Sequence, residues 1–179
     1  MEHKGFTLWF TGLPCSGKSV LADAVAEDLR KRGMKVERLD GDIVRQGLTR
    51  DLGFSKEDRD KNIERVTFVA KLLTRNGVAV LASFVSPYDA IRKNSRKDIG
   101  DYLLVYVKCC LEECEKRDVK GMYAKARAGK IKDFTGINDP FEEPEDAEIV
   151  VETDKHTVEE CKKIILKDLD KMGYLPKKK

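Results

Sequence analysis

The sequence lacks any apolar run long enough to cross a membrane, and its start shows neither a secretory signal peptide nor an anchor. Charge of one sign is also scarce, because the formal net charge is only +3 at pH 7. A nucleic-acid-binding protein usually carries a stronger basic bias and interleaved aromatic residues, so we expect no nucleic-acid partner. The sequence therefore predicts a cytoplasmic protein without membrane contact, which acts on a small anionic molecule.

Paired cysteines and clustered histidines are missing as well. None of the five cysteines forms a C-x-x-C pair, and no histidine lies near Cys109, Cys110 or Cys114. This pattern excludes a zinc site of ordinary spacing, and without an export signal it predicts reduced thiols rather than disulfides. The two histidines, His3 and His156, receive no role.

What the sequence does contain is an alternation of strand and helix patterns. With 179 residues, of which 41% are apolar, we expect a single domain over 1–179. Alternating strands and helices are typical of an α/β fold with a parallel sheet. The predicted strands are 6–10, 35–39, 78–83, 102–107 and 148–151.

The helix predictions rest on apolar periodicity and on end signals. The first helix is predicted over 18–32, with Val20, Leu21, Ala24, Val25 and Leu29 on one face. Ser55 and Thr157 are predicted N-caps of later helices. A further helix is predicted to start with Ser86 as its cap and Pro87 as its first residue. On the last helix, the residues predicted to face the core are Val158, Cys161, Ile165, Leu169 and Met172, and the lysines at 177–179 are predicted to form a solvated end.

A phosphate-binding loop (P-loop) of the pattern G-x-x-x-x-G-K-[ST] directly follows the first predicted strand. Such a loop turns backbone N–H groups toward an anion, and the helix that follows adds its positive end. We expect Lys18 to reach the β- and γ-phosphates of ATP and Ser19 to bind Mg²⁺. The ATP-binding residues are predicted to be Gly12, Leu13, Pro14, Cys15, Ser16, Gly17, Lys18 and Ser19.

Two acidic residues follow the second predicted strand, at the sheet edge where ligands bind in this architecture. A kinase that phosphorylates a hydroxyl needs a carboxylate to accept or orient the proton. Asp42 is our candidate for that role, with Asp40 as the alternative. The third strand ends at Ser83 rather than at an acid, so Asp40 or Asp42 is also expected to support Mg²⁺, with Asp40 acting through water.

Forked cationic donors and an aromatic residue come next. Arg45, Arg59 and Arg65 could each grip a phosphate or sulfate bidentately, and Arg59 shares a helix face with Asn62. Phe54 beside such an anion-binding arginine suits a purine nucleotide.

A basic segment, approximately 118–140, lies between the fourth and fifth predicted strands, and we expect it to form a mobile lid that excludes water.

Together these segments resemble the adenylyl-sulfate kinase family, in order from the first strand to about Pro144. The resemblance implies a P-loop kinase fold, with a five-stranded parallel sheet in the order 2-3-1-4-5 and helices on both faces. It also implies transfer of the γ-phosphoryl group of ATP to the 3′-hydroxyl of adenosine 5′-phosphosulfate, with Mg²⁺. The segments that carry it are 12–19, 40–42 with Arg45, 53–55 through Arg59 and Asn62, 83–88, and 117–121 through 134–137.

The same resemblance implies roles for individual residues. Phe54 and Phe134 would stack on the acceptor purine, and Arg117 would lie near the ATP adenine. Ser86 matches a family position described as a phosphoserine intermediate, although direct transfer needs only positioning and electrostatics. The residues implied to bind the acceptor are Asp42, Arg45, Phe54, Arg59, Asn62, Val85, Ser86, Lys120 and Phe134.

The family further implies a homodimer and functional coupling to an ATP sulfurylase. Glu64 and Phe68 depart from the arginine and glutamate expected on the long helix, so the dimer contact would differ in detail. Two other functions stay open. One is a P-loop kinase for a different small molecule, and the other is a regulatory module that binds ATP without turnover.

Overall fold

Strands and helices alternate along the chain in the computed structural model, which describes residues 4–176. His3 and the lysines at 177–179 lie outside the described residues. The strands are β1 (Phe6–Thr11), β2 (Val36–Asp40), β3 (Ala79–Ser83), β4 (Tyr102–Lys108) and β5 (Ile149–Glu152). The helices are α1 (Lys18–Lys31), α2 (Gly41–Val44), α3 (Lys56–Arg75), α4 (Asp89–Ile99), α5 (Leu111–Arg117), α6 (Met122–Arg127) and α7 (Val158–Lys171).

The five strands form a parallel sheet in the order β2-β3-β1-β4-β5, which confirms the prediction. The central strand β1 is buried along its whole length, as expected for a strand covered on both faces. All five carboxyl ends meet at one edge of the sheet. The P-loop, the acidic turn after β2 and the loop after β3 all lie at that edge.

Alternate side chains of β1 divide the core between the two faces of the sheet. Phe6, Leu8 and Phe10 pack in one cluster with the apolar sides of α1 and α7. Trp9 points to the opposite face, where it packs in a second cluster with residues of α3 and α4. This period of two places helices on both faces and fixes the strand that leads into the P-loop.

Two predicted N-caps are confirmed. The Ser55 hydroxyl accepts a hydrogen bond from the Asp58 amide at 3.1 Å and opens α3. Thr157 and Glu160 form a reciprocal capping box at the start of α7, with bonds of 3.3 Å and 2.8 Å. These caps satisfy amides that the helix geometry leaves without partners.

Three residues predicted to face the core are exposed, namely Val20, Val158 and Met172. Val158 and Met172 lie at the two ends of α7, each two helical turns from Ile165 and on the same side of the helix. The apolar side of α7 is longer than the core that it covers, so these two end residues stay exposed. The buried residues of α7 are Cys161, Ile165, Leu166 and Leu169.

The predicted lid contains α6 and a series of turns that end near the bridge between Thr135 and Asp139. At the start of the lid, the Asp118 carboxylate accepts hydrogen bonds from the amides of Tyr123 and Ala124 in α6, at 3.0 Å and 3.1 Å. Among residues 4–176, none of the helices combines the length and the apolar character that crossing a bilayer requires.

Candidate active site

The P-loop between β1 and α1 adopts a conformation that few residue types tolerate. Gly12 and Gly17 have φ angles of 151° and 94°. A Cβ atom at Gly12 would overlap the carbonyl oxygen of Val107, so only glycine fits there. Gly17 caps α1 without a side-chain hydrogen bond, which leaves the amides of the first turn directed at a common anion position.

Lys18 folds back over this loop. Its ammonium group donates to the carbonyls of Gly12 and Leu13, at 2.9 Å and 2.7 Å. Burial lowers the pKa of Lys18 to about 8, against the opposing effect of nearby thiols and of Asp40. The group that sequence analysis assigned to the phosphates is thus held inside the P-loop.

Ser19 and Asp40 meet beside the P-loop, as the metal-site prediction requires. The Ser19 hydroxyl donates to the Asp40 carboxylate at 2.6 Å, and the Ser83 hydroxyl donates to it at 2.9 Å. Burial opposes ionisation of Asp40, but these bonds and the Asp42 amide outweigh it and lower its pKa. Hydroxyl and carboxylate oxygens are the ligands that Mg²⁺ prefers. Within residues 4–176, no group of three or more His, Cys, Asp or Glu side chains could hold a metal ion.

Arg38 supports this cluster, and sequence analysis did not identify it. Its guanidinium donates to the Ser83 hydroxyl at 3.2 Å and to the Leu81 carbonyl at 2.7 Å, and it lies 3.6 Å from Asp40. Arg38 lies two residues before Asp40, the last residue of β2. The alternation of β2 was the available signal, because Arg38 and Asp40 share one face of the sheet.

Asp42 and Lys120, both predicted site residues, form an ion pair between α2 and the lid. Their side chains are 70% and 62% exposed, so water and salt screen the pair. The Asp42 carboxylate therefore lies at the open edge of the site, whereas Asp40 lies inside it.

Arg45 and Phe54 lie together, as the predicted anion and purine site requires. The guanidinium of Arg45 stacks over the Phe54 ring at 4.3 Å and donates to the Gly53 carbonyl at 3.0 Å. Burial, followed by the charge of Arg59, lowers the pKa of Arg45. Two guanidinium groups in mutual repulsion favour an anion between them. The Phe54 ring itself is 68% exposed and available for stacking.

Arg59 contacts the lid instead of facing open solvent. One of its terminal nitrogens (Nη1) donates to the Asp139 carboxylate at 2.9 Å and to the Thr135 hydroxyl at 3.2 Å. Asn62, on the same helix, is buried, and its side-chain oxygen accepts from the Thr49 hydroxyl at 2.7 Å. Arg59 and Asn62, which were expected to share one helix face, therefore make different contacts: Arg59 contacts the lid, and Asn62 contacts the buried Thr49.

Phe134, the second predicted purine contact, belongs to the lid and is half-buried. Its ring meets the Tyr123 ring edge to face, with the centroids 5.0 Å apart. The Tyr123 hydroxyl in turn donates to the Pro14 carbonyl at 2.8 Å. Through these contacts the lid is packed directly on the P-loop.

The prediction that Ser86 and Pro87 begin a helix is wrong. Helix α4 starts at Asp89 with Tyr88 at the N-cap, and Ser86 has a φ of 42° in the preceding loop. The Ser86 hydroxyl, in a residue only 2% exposed, accepts from the Trp9 indole at 3.0 Å. Tertiary contacts therefore take the hydroxyl that a helix cap would have used.

Trp9 and Arg92, which sequence analysis missed, hold this loop. Arg92 is buried and donates to the Ser86 carbonyl and to the Glu142 carbonyl, each at 2.7 Å. On the other side, the Thr11 hydroxyl donates to the Val85 carbonyl at 2.6 Å. The backbone of Val85 and Ser86 is thereby fixed at the carboxyl edge of the sheet, next to the P-loop.

Arg117, the residue predicted to lie near the ATP adenine, donates to the Cys15 carbonyl of the P-loop at 3.5 Å. Its guanidinium donates to the Thr153 carbonyl at 2.8 Å. The Thr153 hydroxyl donates to the Ser16 carbonyl at 2.7 Å, a contact without a sequence signal. A cleft of about 930 Å³ opens beside this region, between Leu13, the start of α5 and the lid, and its size is typical of small-molecule sites.

Comparisons with known proteins agree with this geometry. A family model described as adenylylsulphate kinase matches residues 4–152. An adenylyl-sulfate kinase of a Picosynechococcus species is 54% identical over 98% of this chain and 99% of its own. A probable adenylyl-sulfate kinase of Pseudomonas aeruginosa is 59% identical over 93% of this chain and 78% of its own. The APS kinase CysC of Mycobacterium tuberculosis, solved with AMPPNP and APS, superimposes with a TM-score of 0.89, at 40% identity, over 94% of this chain and 99% of that one.

Proposed function

This chain belongs to the adenylylsulphate kinase family, and we propose that it transfers the γ-phosphoryl group of ATP to the 3′-hydroxyl of adenosine 5′-phosphosulfate. The products are ADP and 3′-phosphoadenosine 5′-phosphosulfate. One observation carries the proposal: a complete P-loop adjoins a second site in which Arg45, Arg59 and Phe54 lie together. A phosphate-binding centre beside an anion and purine site is what this reaction needs.

On the donor side, the P-loop amides and Lys18 bind the phosphates, and Arg117 borders the adenine. We propose that Ser19 binds Mg²⁺ directly and that Asp40 supports it through water, which fits the contact of 2.6 Å between the two side chains. When bound, Mg²⁺ neutralises charge that develops on the transferred phosphoryl group. Lys18 then exchanges its two carbonyl partners for phosphate oxygens.

On the acceptor side, Phe54 and Phe134 hold the purine, and Arg45, Arg59 and Asn62 bind the phosphosulfate with the backbone at Val85 and Ser86. Lys120 reaches the acceptor from the lid. Support for this assignment comes from three contacts: Arg45 lies over the Phe54 ring, Lys120 pairs with Asp42, and Arg59 donates to Thr135, the residue after Phe134. Stacking by Arg45 on Phe54 also orients the ring for a base.

Asp42 is the better candidate for the attacking 3′-hydroxyl. The Asp40 carboxylate already accepts hydrogen bonds from Ser19, Ser83 and the Asp42 amide, whereas Asp42 pairs only with the flexible Lys120 among the contacts described. Ser86 is not proposed as a phosphoryl carrier, because its hydroxyl is buried and engaged by Trp9. Transfer is therefore direct, from ATP to the acceptor hydroxyl.

We also propose a single catalytic domain, a cytoplasmic location and a homodimer. The exposed Phe68 on α3 borders a small groove between α3 and α4, and it supplies apolar surface for a second copy. Functional coupling to an ATP sulfurylase follows from the reaction, because such an enzyme makes the acceptor.

The test is ADP release from the purified chain with Mg-ATP. We compare adenosine 5′-phosphosulfate with AMP, shikimate, gluconate and no acceptor. Rapid release with the phosphosulfate alone, together with its 3′-phosphorylated product, supports the proposal. Release with another acceptor would favour a different small-molecule kinase, and ATP binding without any acceptor-dependent release would favour a regulatory module.

A further inference from the structure

A carboxylate of the lid lies on the arginine that is assigned to the acceptor anion. One oxygen of Asp139 accepts from Arg59 at 2.9 Å and from the Tyr88 hydroxyl at 3.0 Å. The side chains of Arg59 and Asp139 are only 14% and 17% exposed. Water therefore screens this pair much less than it screens an ordinary surface ion pair.

Lid atoms take up two of the four remaining N–H donors of Arg59. Its Nη1 also donates to the Thr135 hydroxyl at 3.2 Å, and its Nη2 donates to the Asp133 carbonyl. Its Nε donates to the Phe54 carbonyl at 2.9 Å. A phosphate or sulfate gripped bidentately by Arg59 needs the same Nη groups.

We propose that Asp139 is a specificity-determining residue, which competes with the anionic group of the acceptor for Arg59. The inference rests on the proposed function, because it takes the acceptor to be adenosine 5′-phosphosulfate. A carboxylate left beside a bound phosphosulfate would repel it, so the acceptor has to displace Asp139. Only an acceptor with a strongly charged group replaces the ion pair that is lost, and a neutral nucleoside does not.

The test is Asp139→Asn, with Asp133→Asn as the matched control. Asparagine keeps the size of Asp139 and a carbonyl for Tyr88 and Arg59, but removes the charge. Asp133→Asn removes the same charge from the same lid, and only the backbone carbonyl of Asp133 contacts Arg59. Asp133 has a φ of 55°, which asparagine tolerates well.

The readout is the Kd of the full chain for adenosine 5′-phosphosulfate, measured by calorimetry at fixed ionic strength, with adenosine as the uncharged reference. Asp139→Asn should lower the Kd for the phosphosulfate at least about fivefold, because a shielded ion pair is worth no less than about 1 kcal/mol, the upper end of the range for exposed pairs. It should leave the Kd for adenosine unchanged, and Asp133→Asn should leave both unchanged.

Other outcomes distinguish a failure of the role of Asp139 from a failure of the proposed kinase function. An unchanged or higher Kd for the phosphosulfate in Asp139→Asn would overturn the inference, because a carboxylate that only braces the lid gives that result. An equal gain in Asp133→Asn would also overturn it, since the effect would then be general charge repulsion. A wild-type chain that neither binds nor phosphorylates the phosphosulfate would overturn the proposed function and the inference together.

Discussion

Nucleotide binding should take up a proton at pH 8, and that proton should go to Lys18. Burial lowers the pKa of Lys18 to about 8 in the free protein. Its ammonium group donates to the carbonyls of Gly12 and Leu13 at 2.9 Å and 2.7 Å, and neither partner carries a charge. The desolvation of the cation is therefore only partly compensated.

The sign and size of the effect follow from that value. Lys18 is protonated below its pKa, so at pH 8 about half of the free molecules carry the proton. The phosphates of a bound nucleotide add negative charge beside the amine and raise its pKa, so the complex is fully protonated. We expect an uptake of about 0.5 proton per nucleotide at pH 8 and about 0.1 at pH 7.

The measurement is titration calorimetry of Mg-ADP binding at pH 8, in buffers of different ionisation enthalpy. At this pH the nucleotide phosphates, with a pKa of about 6, do not contribute. Lys18→Met should abolish the uptake, and Lys31→Met, at an exposed lysine of the same helix paired with Glu27, should not. Zero uptake by the wild-type chain, or equal uptake after Lys18→Met, would refute the argument.

Substitutions at three positions test other parts of the molecule. Gly12→Ala should abolish ATP binding and lower the Tm, because its Cβ would overlap the Val107 carbonyl; an unchanged Tm and Kd would contradict this. Phe54→Ala should weaken acceptor binding about tenfold through lost stacking. Since this ring is exposed, the circular dichroism spectrum and the Kd for ATP should stay the same, and a parallel loss of both ligands would argue against the placement. Thr157→Ala should cost about 1 kcal/mol in urea unfolding and leave turnover intact, whereas Thr157→Ser should recover the stability.

Most of the fold could be predicted from the sequence because its signals are local. The apolar runs of the strands and the caps at Ser55 and Thr157 act over a few residues. The error at Ser86 has a tertiary cause, since the Trp9 indole lies far away in the sequence yet takes the hydroxyl. The Ser86 hydroxyl accepts from the buried Trp9 indole instead of capping a helix. Leaving a buried N–H donor without a partner costs more free energy than leaving a helix end without a side-chain cap.

The site divides in the same way. The sequence predicted which residues gather at the carboxyl edge of the sheet, because parallel strands bring the residues that follow them together there. The partners of Arg59 could not, since Thr135 and Asp139 come from the lid and no periodicity relates them to α3. Arg92 was missed for a similar reason: its role depends on two carbonyls, which any residue type could supply.

Among residues 4–176, three ion pairs join the lid to the body, and two of them use a residue assigned to the acceptor. Asp42 meets Lys120 at the exposed edge, and Arg59 meets Asp139 in the shielded interior. The first pair is largely screened by water, so it contributes little to closure, and added salt weakens it further. The second pair is sheltered from solvent, so of these two pairs it contributes more to holding the lid on α3. Because the acceptor needs Arg59 as well, a change at this guanidinium alters lid position and acceptor affinity together.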